Sequence, residues 1–584
     1  MFKEMKSRRL ALLVAIALGG GGFLSSAQNV SAADVTGNHV EIDSAHAPSD
    51  NAMDDSSHPF GTAAGFIRAE SDHSNVTNNT LIFKDRHYTK DLFGGFTFGK
   101  GNVTGNKVFI RQSSAIPGSV TEGVYGGVTD GGGHAENNEV TFEGKRTNGD
   151  LIGGMTTRRS ADPSAPNGRG NAKGNIVTLK AGDVGSSSDP KSVYGGYTTS
   201  RSDGNAIENK VFIEGGSVWG DVLGGAANEG GNATGNQVTV KGGDVHQLVY
   251  GGYAANGNAT GNTVTMAGNG TIHQHIYGGW AANGNATGNT VNLGDGAGSA
   301  VGTITGTIYG GRNTSGTKDQ TTGNTLNVNA NAQAGNIKNF ETIHFNFSHV
   351  NTSNPLLKLV NTYGEKTHLK SLNQLHVKNA PVGGGTLIEN AHGIDVDDPA
   401  DVGRTADKTE TIIKKHTAGD KITYRTYQFK DATTKDTDGT ATWGGRSVIG
   451  NTTTKNEITL TGNHGAQSVY GGWTSGTGST ATGENAKNHS IDNKITFNGA
   501  ATDTVNNMFG GVTVSPGGSA TGNRAVLNSG KVTGSLTGGS VGATGGNATG
   551  NFVDINGGTV QQSTYGGSAS GTGKAENNTV TLTN

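Results

Sequence analysis

The chain has no cysteine among its 584 residues. A disulfide framework is therefore excluded, and stability has to come from backbone ladders and a packed core. Proline is scarce, at 10 residues. Aromatic residues make up 6% and charged residues 16%. Lys plus Arg is 44 and Asp plus Glu is 47, a net charge of −3. That balance leaves no basic stripe for nucleic acid, so no nucleic-acid partner is expected. Arg158-Arg159 reads as a solvated loop pair. Beyond the N-terminal stretch, no run is apolar enough to cross a bilayer as a helix.

Glycine is plentiful, with 99 residues. Glycine and proline together are about 19% of the chain, short of the ~25–30% of low-complexity disorder. The glycines also keep register with a repeat. Asn258-Ala259-Thr260-Gly261-Asn262-Thr263-Val264 leads to Ile276-Tyr277-Gly278-Gly279-Trp280, and the block restarts at Asn285-Ala286-Thr287-Gly288-Asn289. An aromatic-Gly-Gly mark recurs at Tyr125, Tyr194, Tyr250, Tyr277, Tyr309, Tyr470 and Tyr565, with Phe93 and Phe509 as variants. From Gly225 to Gly252 to Gly279 the step is 27 residues each time. A fixed period of that size is the signature of a solenoid.

The expected fold is all-β: a right-handed parallel β-helix with coils of about 27 residues and three short strands per coil. Thr263-Val264-Thr265-Met266 alternates like a half-buried strand. Thr271 to Tyr277 reads as a second run, broken by Gly278-Gly279, and Trp280-Ala281-Ala282 as a third. Equivalent positions should stack, with Val238, Val264 and Val291 as one inward ladder and Tyr250, Tyr277 and Tyr309 as another at a corner. Asn236, Asn262 and Asn289 should stack at the turn with their amides bonded from coil to coil. His246 and His273 should stack facing solvent.

Residues 1–33 read as a secretory signal peptide. Lys3, Lys6, Arg8 and Arg9 form a basic start, Leu10 to Leu18 an apolar run, and Val30-Ser31-Ala32 or Ser31-Ala32-Ala33 a small-residue cleavage site. The first repeat array covers 34–330. Residues 331–449 lose the aromatic-Gly-Gly mark and read as irregular coils or a small inserted domain. The second array covers 450–584. Loops at 41–75, 155–175 and 380–440 are the expected places for specificity, since loops on a rigid scaffold usually carry it.

These features, with Gly335-Asn336-Ile337-Lys338-Asn339-Phe340-Glu341-Thr342-Ile343, resemble the passenger regions of bacterial autotransporters (type V secretion). The resemblance spans nearly all of the chain after residue 33. It implies export by the signal peptide and passage through a C-terminal outer-membrane β-barrel. No barrel-like alternation of about ten residues appears after residue 450, so the translocator is expected but absent from this chain, and the chain reads as a fragment.

No His-Glu-x-x-His motif is present. No catalytic, cofactor-binding or metal-ligating residue is assigned, and no cofactor is expected. His273-Gln274-His275 lacks further ligands for a metal. Asp395, Asp397, Asp398 and Asp401 read as a polar loop, with calcium the lesser reading. Asn232, Asn258, Asn285 and Asn547 begin Asn-Ala-Thr sequons that the repeat explains without sugar. The expected function is a non-enzymatic cell-surface stalk or adhesin whose partner is a host or bacterial surface glycan or protein. A β-helix polysaccharide lyase or hydrolase, or a released solenoid binder, is the alternative.

Overall fold

In the computed structural model, residues 34–42, 61–67, 73–84, 90–112, 122–157, 170–199, 203–361, 363–476 and 487–583 are described. The signal peptide, most of the 41–75 loop, Arg158-Arg159 and the centre of the 155–175 loop lie outside them. The described residues form two compact units. The first comprises the residues up to 378 with 387–397 and 418–421; the second comprises 379–386, 398–417 and 422–584. The fold is a β-solenoid of stacked parallel coils, about 28 residues per coil. Strands hold 55% of the chain and helix about 1%. No helix among the described residues is long and apolar enough to cross a membrane.

Each regular coil of the first unit contributes to three parallel sheets. Around residue 264 these are the short strand Ala259–Thr260, the long face of Thr263–Met266 and Gly268–Ile272, and the aromatic strand Ile276–Ala281. Val238, Val264 and Val291 pair in register on the long face and are fully buried. Alternation in Thr-Val-Thr-Met puts one apolar side chain inward at every second residue, and stacking turns each into a ladder.

The Gly-Gly pair does not break a strand, contrary to expectation. Ile276–Ala281 runs through it without interruption. The pair exists because nothing larger fits. A Cβ on Gly251 would lie 2.3 Å from the Gly278 carbonyl oxygen of the next coil, and one on Gly252 2.4 Å from Asn262 Oδ1. The pair also resets the pleat. Ala281 packs inward with Ala259 and Ala286, while Tyr277 lies against Trp280 at 4.9 Å in a separate cluster. The tyrosine ladder is therefore real, at 5.1 and 4.9 Å between rings. It sits in mid-strand, buried in that second cluster, and not at a corner.

A ladder of asparagines seals the turn after the short strand. Asn79, Asn106, Asn138, Asn175, Asn209, Asn236, Asn262, Asn289 and Asn324 are fully buried. Each Nδ2 donates to Oδ1 of the asparagine one coil on, from Asn79 to Asn106 at 2.8 Å through Asn289 to Asn324 at 3.2 Å. The backbone N–H of Asn262 also donates to Asn289 Oδ1, and its Nδ2 to the Ala233 carbonyl. A buried carboxamide with every group matched specifies register as well as adding stability.

A second ladder runs along the outer edge of the same turn. Asn232 Oδ1 accepts from the Asn258 N–H at 2.8 Å, Asn258 Oδ1 from Asn285, and Asn285 Oδ1 from Asp319. These are the first residues of three Asn-Ala-Thr sequons.

Between the two asparagines the backbone enters the left-handed region. Gly174, Gly235, Gly261 and Gly288 have φ of 64°, 66°, 64° and 65° there. Glu208 holds φ 54° at the equivalent point. A side chain in that region costs about 1–2 kcal/mol. Glu208→Gly is therefore expected to stabilise the chain by about 1 kcal/mol, less the backbone entropy that glycine adds. Thermal unfolding of the two proteins checks the sign.

Past residue 313 the regular three-sheet pattern of the first unit thins. Asn336–Lys338 is the last strand of the aromatic sheet. The long face continues through Thr342–Asn346 and Leu375–Lys378, with Ile343 paired to Leu375. In the second unit, Val402–Thr405 and Thr409–Lys415 form an antiparallel meander with the strand Lys421–Gln428 from Ile422 on. Parallel stacking within that unit links Ala441–Ser447 to Ser468–Thr474. Buried Asn456, Asn493, Asn523 and Asn551 repeat the ladder there, which ends on the half-buried Asn578.

Candidate functional site

The first unit carries a cleft where its regular coils give way to irregular ones. Two adjoining hollows of about 220 and 380 Å³ share Thr321, Lys370 and Gln374. The floor of the smaller hollow is apolar: Ile337, Phe340, Ile343 and Leu369 are all at most 5% exposed. Its rim is cationic, from Lys338, Lys366 and Lys370, with His368 beside them.

Three of these side chains sit beside carboxylates just outside the hollow. Lys338 Nζ lies 2.8 Å from Glu365 Oε2, and Lys366 Nζ 3.3 Å from Asp395 Oδ1. His368 Nε2 lies 3.3 Å from Asp397 Oδ2. The Glu365 carboxyl is held below its usual range, chiefly by the hydrogen bond from Lys338. Gln374 clamps the wall: its Oε1 accepts the Lys370 N–H at 2.7 Å, and its Nε2 donates to the Phe340 carbonyl at 2.8 Å. The larger hollow is polar, lined by Lys318, Asp319, Gln320, Thr322 and Glu341 besides the shared residues. Hydrogen bonds from Thr322 and Thr321 hold the Asp319 carboxyl below its usual range.

The aromatic stripe offers less surface than its composition implies. In the first unit Phe93, Phe96, Tyr125, Tyr250, Tyr277 and Trp280 are at most 8% exposed. Arg312 closes its far end, with its guanidinium 5.2 Å from the Trp280 ring and Nη1 3.0 Å from the Tyr277 hydroxyl. In the second unit Arg446 stands 4.0 Å from the Trp443 ring and pairs with Asp438 at 2.9 Å. Both arginines are committed to the fold by cation–π and polar contacts.

His246 and His273 stack as expected, 4.8 Å apart and within 1° of parallel. Trp219 extends the stack at 3.8 Å from His246. His275 is drawn away from the exposed His273, because its Nδ1 accepts the Thr307 N–H at 2.9 Å. Asp395 and Asp397 answer to Lys366 and His368, and Asp401 to Lys414 at 2.8 Å. Among the described residues no three His, Asp or Glu gather in a way that would hold a metal ion.

A third polar ladder precedes the aromatic strands. Asp150 Oδ1 accepts the Ser192 N–H, Ser192 Oγ the Asp221 N–H, and Asp221 Oδ1 the Leu248 N–H. Burial raises the carboxyls of Asp150 and Asp221. Asp91 is pushed up to about 7, first by burial and then by the charge of Glu122. A carboxyl raised on folding favours the native state while protonated, and that advantage drains away as pH climbs from about 4 to about 7. Asp91→Asn is therefore expected to stabilise the protein at pH 8 by on the order of 2 kcal/mol, the gap closing near pH 4. Melting curves at the two pH values check it.

Lys338, Lys366, Lys370 and Gln374 were not legible as a site in the sequence. They fall outside the loops singled out for specificity and carry no repeat mark. The one available signal was the loss of the aromatic-Gly-Gly mark after Tyr309, which removes the outer aromatic pair and leaves a hollow. No protein-family model, no curated protein and no solved structure matches this chain.

Proposed function

We propose that this chain is the stalk of a bacterial cell-surface protein, similar to an autotransporter passenger, that displays a binding surface and is not an enzyme. The observation that carries this reading is the ladder of nine buried asparagines joined coil to coil in the first unit. Such a stack spends its sequence on regular, cysteine-free backbone pairing, which suits a stiff element exported to the outside. Export by residues 1–33 and placement at the cell surface or outer membrane belong to the same proposal. Its partner would be a surface glycan or protein, met through polar strand faces and through the cleft.

Cell fractionation with intact-mass measurement on cells that make the protein tests it. A species heavier by a barrel domain, held in the outer membrane, supports the reading. A species ending at Asn584 and released to the medium overturns the autotransporter part. A second reading, a polysaccharide lyase or hydrolase, draws on one observation: lysines, a histidine and carboxylates meet around the cleft at Lys338 and Lys366. Product formed from a polysaccharide panel would favour it.

A further inference from the structure

We propose that the cleft between Lys338, Lys366 and Lys370 is a binding site for an acidic oligosaccharide, with a uronic acid residue in the smaller hollow and its neighbour in the larger one. The inference deepens the adhesin reading by naming the ligand class of its site. Three features of the smaller hollow point to the same chemistry. The floor of Ile337, Phe340, Ile343 and Leu369 is apolar and suits the apolar C–H face of a sugar ring. The rim holds three ammonium groups and no carboxylate within the lining. Two of those ammonium groups are fixed from behind by Glu365 and Asp395, so they meet a ligand already positioned.

Lys370 is the exception. It is exposed and makes no ion pair among the described residues, although its charge is felt by Asp319. It stands where the two hollows join, with its backbone N–H tied to Gln374. A cation left open at a junction is the natural partner for a ligand carboxylate. The larger hollow supplies what a hydroxyl-rich neighbour needs: the acceptors Asp319 and Glu341, with Thr321, Thr322 and Gln320 alongside. Its volume of about 380 Å³ lies within the range of small-molecule sites.

A small tetrahedral anion such as sulfate or phosphate, which has no apolar face, would use the rim but not the floor. A neutral sugar would use the floor but not the rim. The uronate uses both.

The test is titration calorimetry of the full chain with a trisaccharide of one galacturonic acid and two galactose units, and with a neutral galactose trisaccharide as comparator. The acidic sugar should bind, the neutral one at least tenfold more weakly, and the affinity should fall as salt is raised. Lys370→Gln should weaken binding at least tenfold, and Lys366→Gln/Lys370→Gln should abolish it. Lys358→Gln, the same charge change outside the lining, should leave it alone. Circular dichroism of each variant shows whether the coil stack is intact; if the double variant unfolds, Lys370→Gln carries the test. No binding by the unaltered chain, equal binding of the neutral trisaccharide, binding of inorganic phosphate with the same affinity, or wild-type affinity in Lys370→Gln would each overturn the proposal. None of these bears on fractionation, so the ligand class and the cell-surface reading stand or fall separately.

Discussion

Gly251→Ala is expected to lower stability by about 3 kcal/mol, one methyl group notwithstanding. The added Cβ would sit 2.3 Å from the Gly278 carbonyl oxygen and 3.1 Å from the Asn262 Cβ. Neither neighbour can retreat. The first is backbone of the next coil, hydrogen-bonded in a sheet, and the second is locked in the asparagine ladder. Relief would require coils to move apart along a whole sheet edge, which costs ladder hydrogen bonds. Gly230→Ala is the control, because its nearest contact would be Asp203 Oδ1 at an ordinary 3.6 Å. Urea unfolding followed by circular dichroism should separate the two variants clearly. Equal midpoints would mean that the coil spacing is softer than the contacts imply.

Asn262→Ala is the second large effect, expected at about 4 kcal/mol. It removes the acceptor of the Asn236 N–H and Nδ2, and the donor to Asn289 Oδ1 and the Ala233 carbonyl. The groups left behind are buried, and each unmatched one costs about 1–3 kcal/mol. Asn262→Asp is the sharper probe. It keeps the shape but turns an oxygen toward Asn289 Oδ1 and the Ala233 carbonyl, both acceptors. It should therefore be no better than alanine and should worsen as pH rises and the carboxyl ionises. Pairing Asn262→Ala with Asn289→Ala should cost less than the sum of the two, because they share a bond. Limited proteolysis should show the first cuts near residues 230–290 in each variant. Wild-type resistance in Asn262→Ala would remove the ladder from the account of stability.

Much of this architecture could be read from residue spacing, for a physical reason. A stack repeats its contacts, so the need of one coil is written many times over. Val238, Val264 and Val291 declare an inward ladder because alternation and period agree, and Asn236, Asn262 and Asn289 declare the amide stack. Gly278-Gly279 misled because glycine commonly marks a turn, and here it marks a close approach between coils in mid-strand. Tyr277 misled because the same pair resets alternation, which no count of two-residue steps foresees. Non-repeated contacts left no such trace. Lys338, Lys366 and Lys370 meet only because an irregular coil places them together, and Lys370 with Gln374 fixes the wall through backbone bonds that residue type does not announce.

The two asparagine ladders run in opposite senses. In the buried one, Asn236 donates forward to Asn262; in the outer one, the Asn258 N–H donates back to Asn232. Each coil thus presents ready acceptors to the coil before it and to the coil after it. A growing stack meets a matching template at both of its ends, so a nucleus can zip outward in either direction. Successive buried asparagines are closest between Asn209 and Asn289, with separations of 27, 26 and 27 residues. Asn79 to Asn106 is also 27 residues but stands alone, and the remaining steps are wider, up to 37 from Asn138 to Asn175. Loop closure is cheapest where the spacing is shortest. The run of three consecutive short steps in the middle of the first unit is accordingly where the first coils are expected to close, by a small margin in loop entropy.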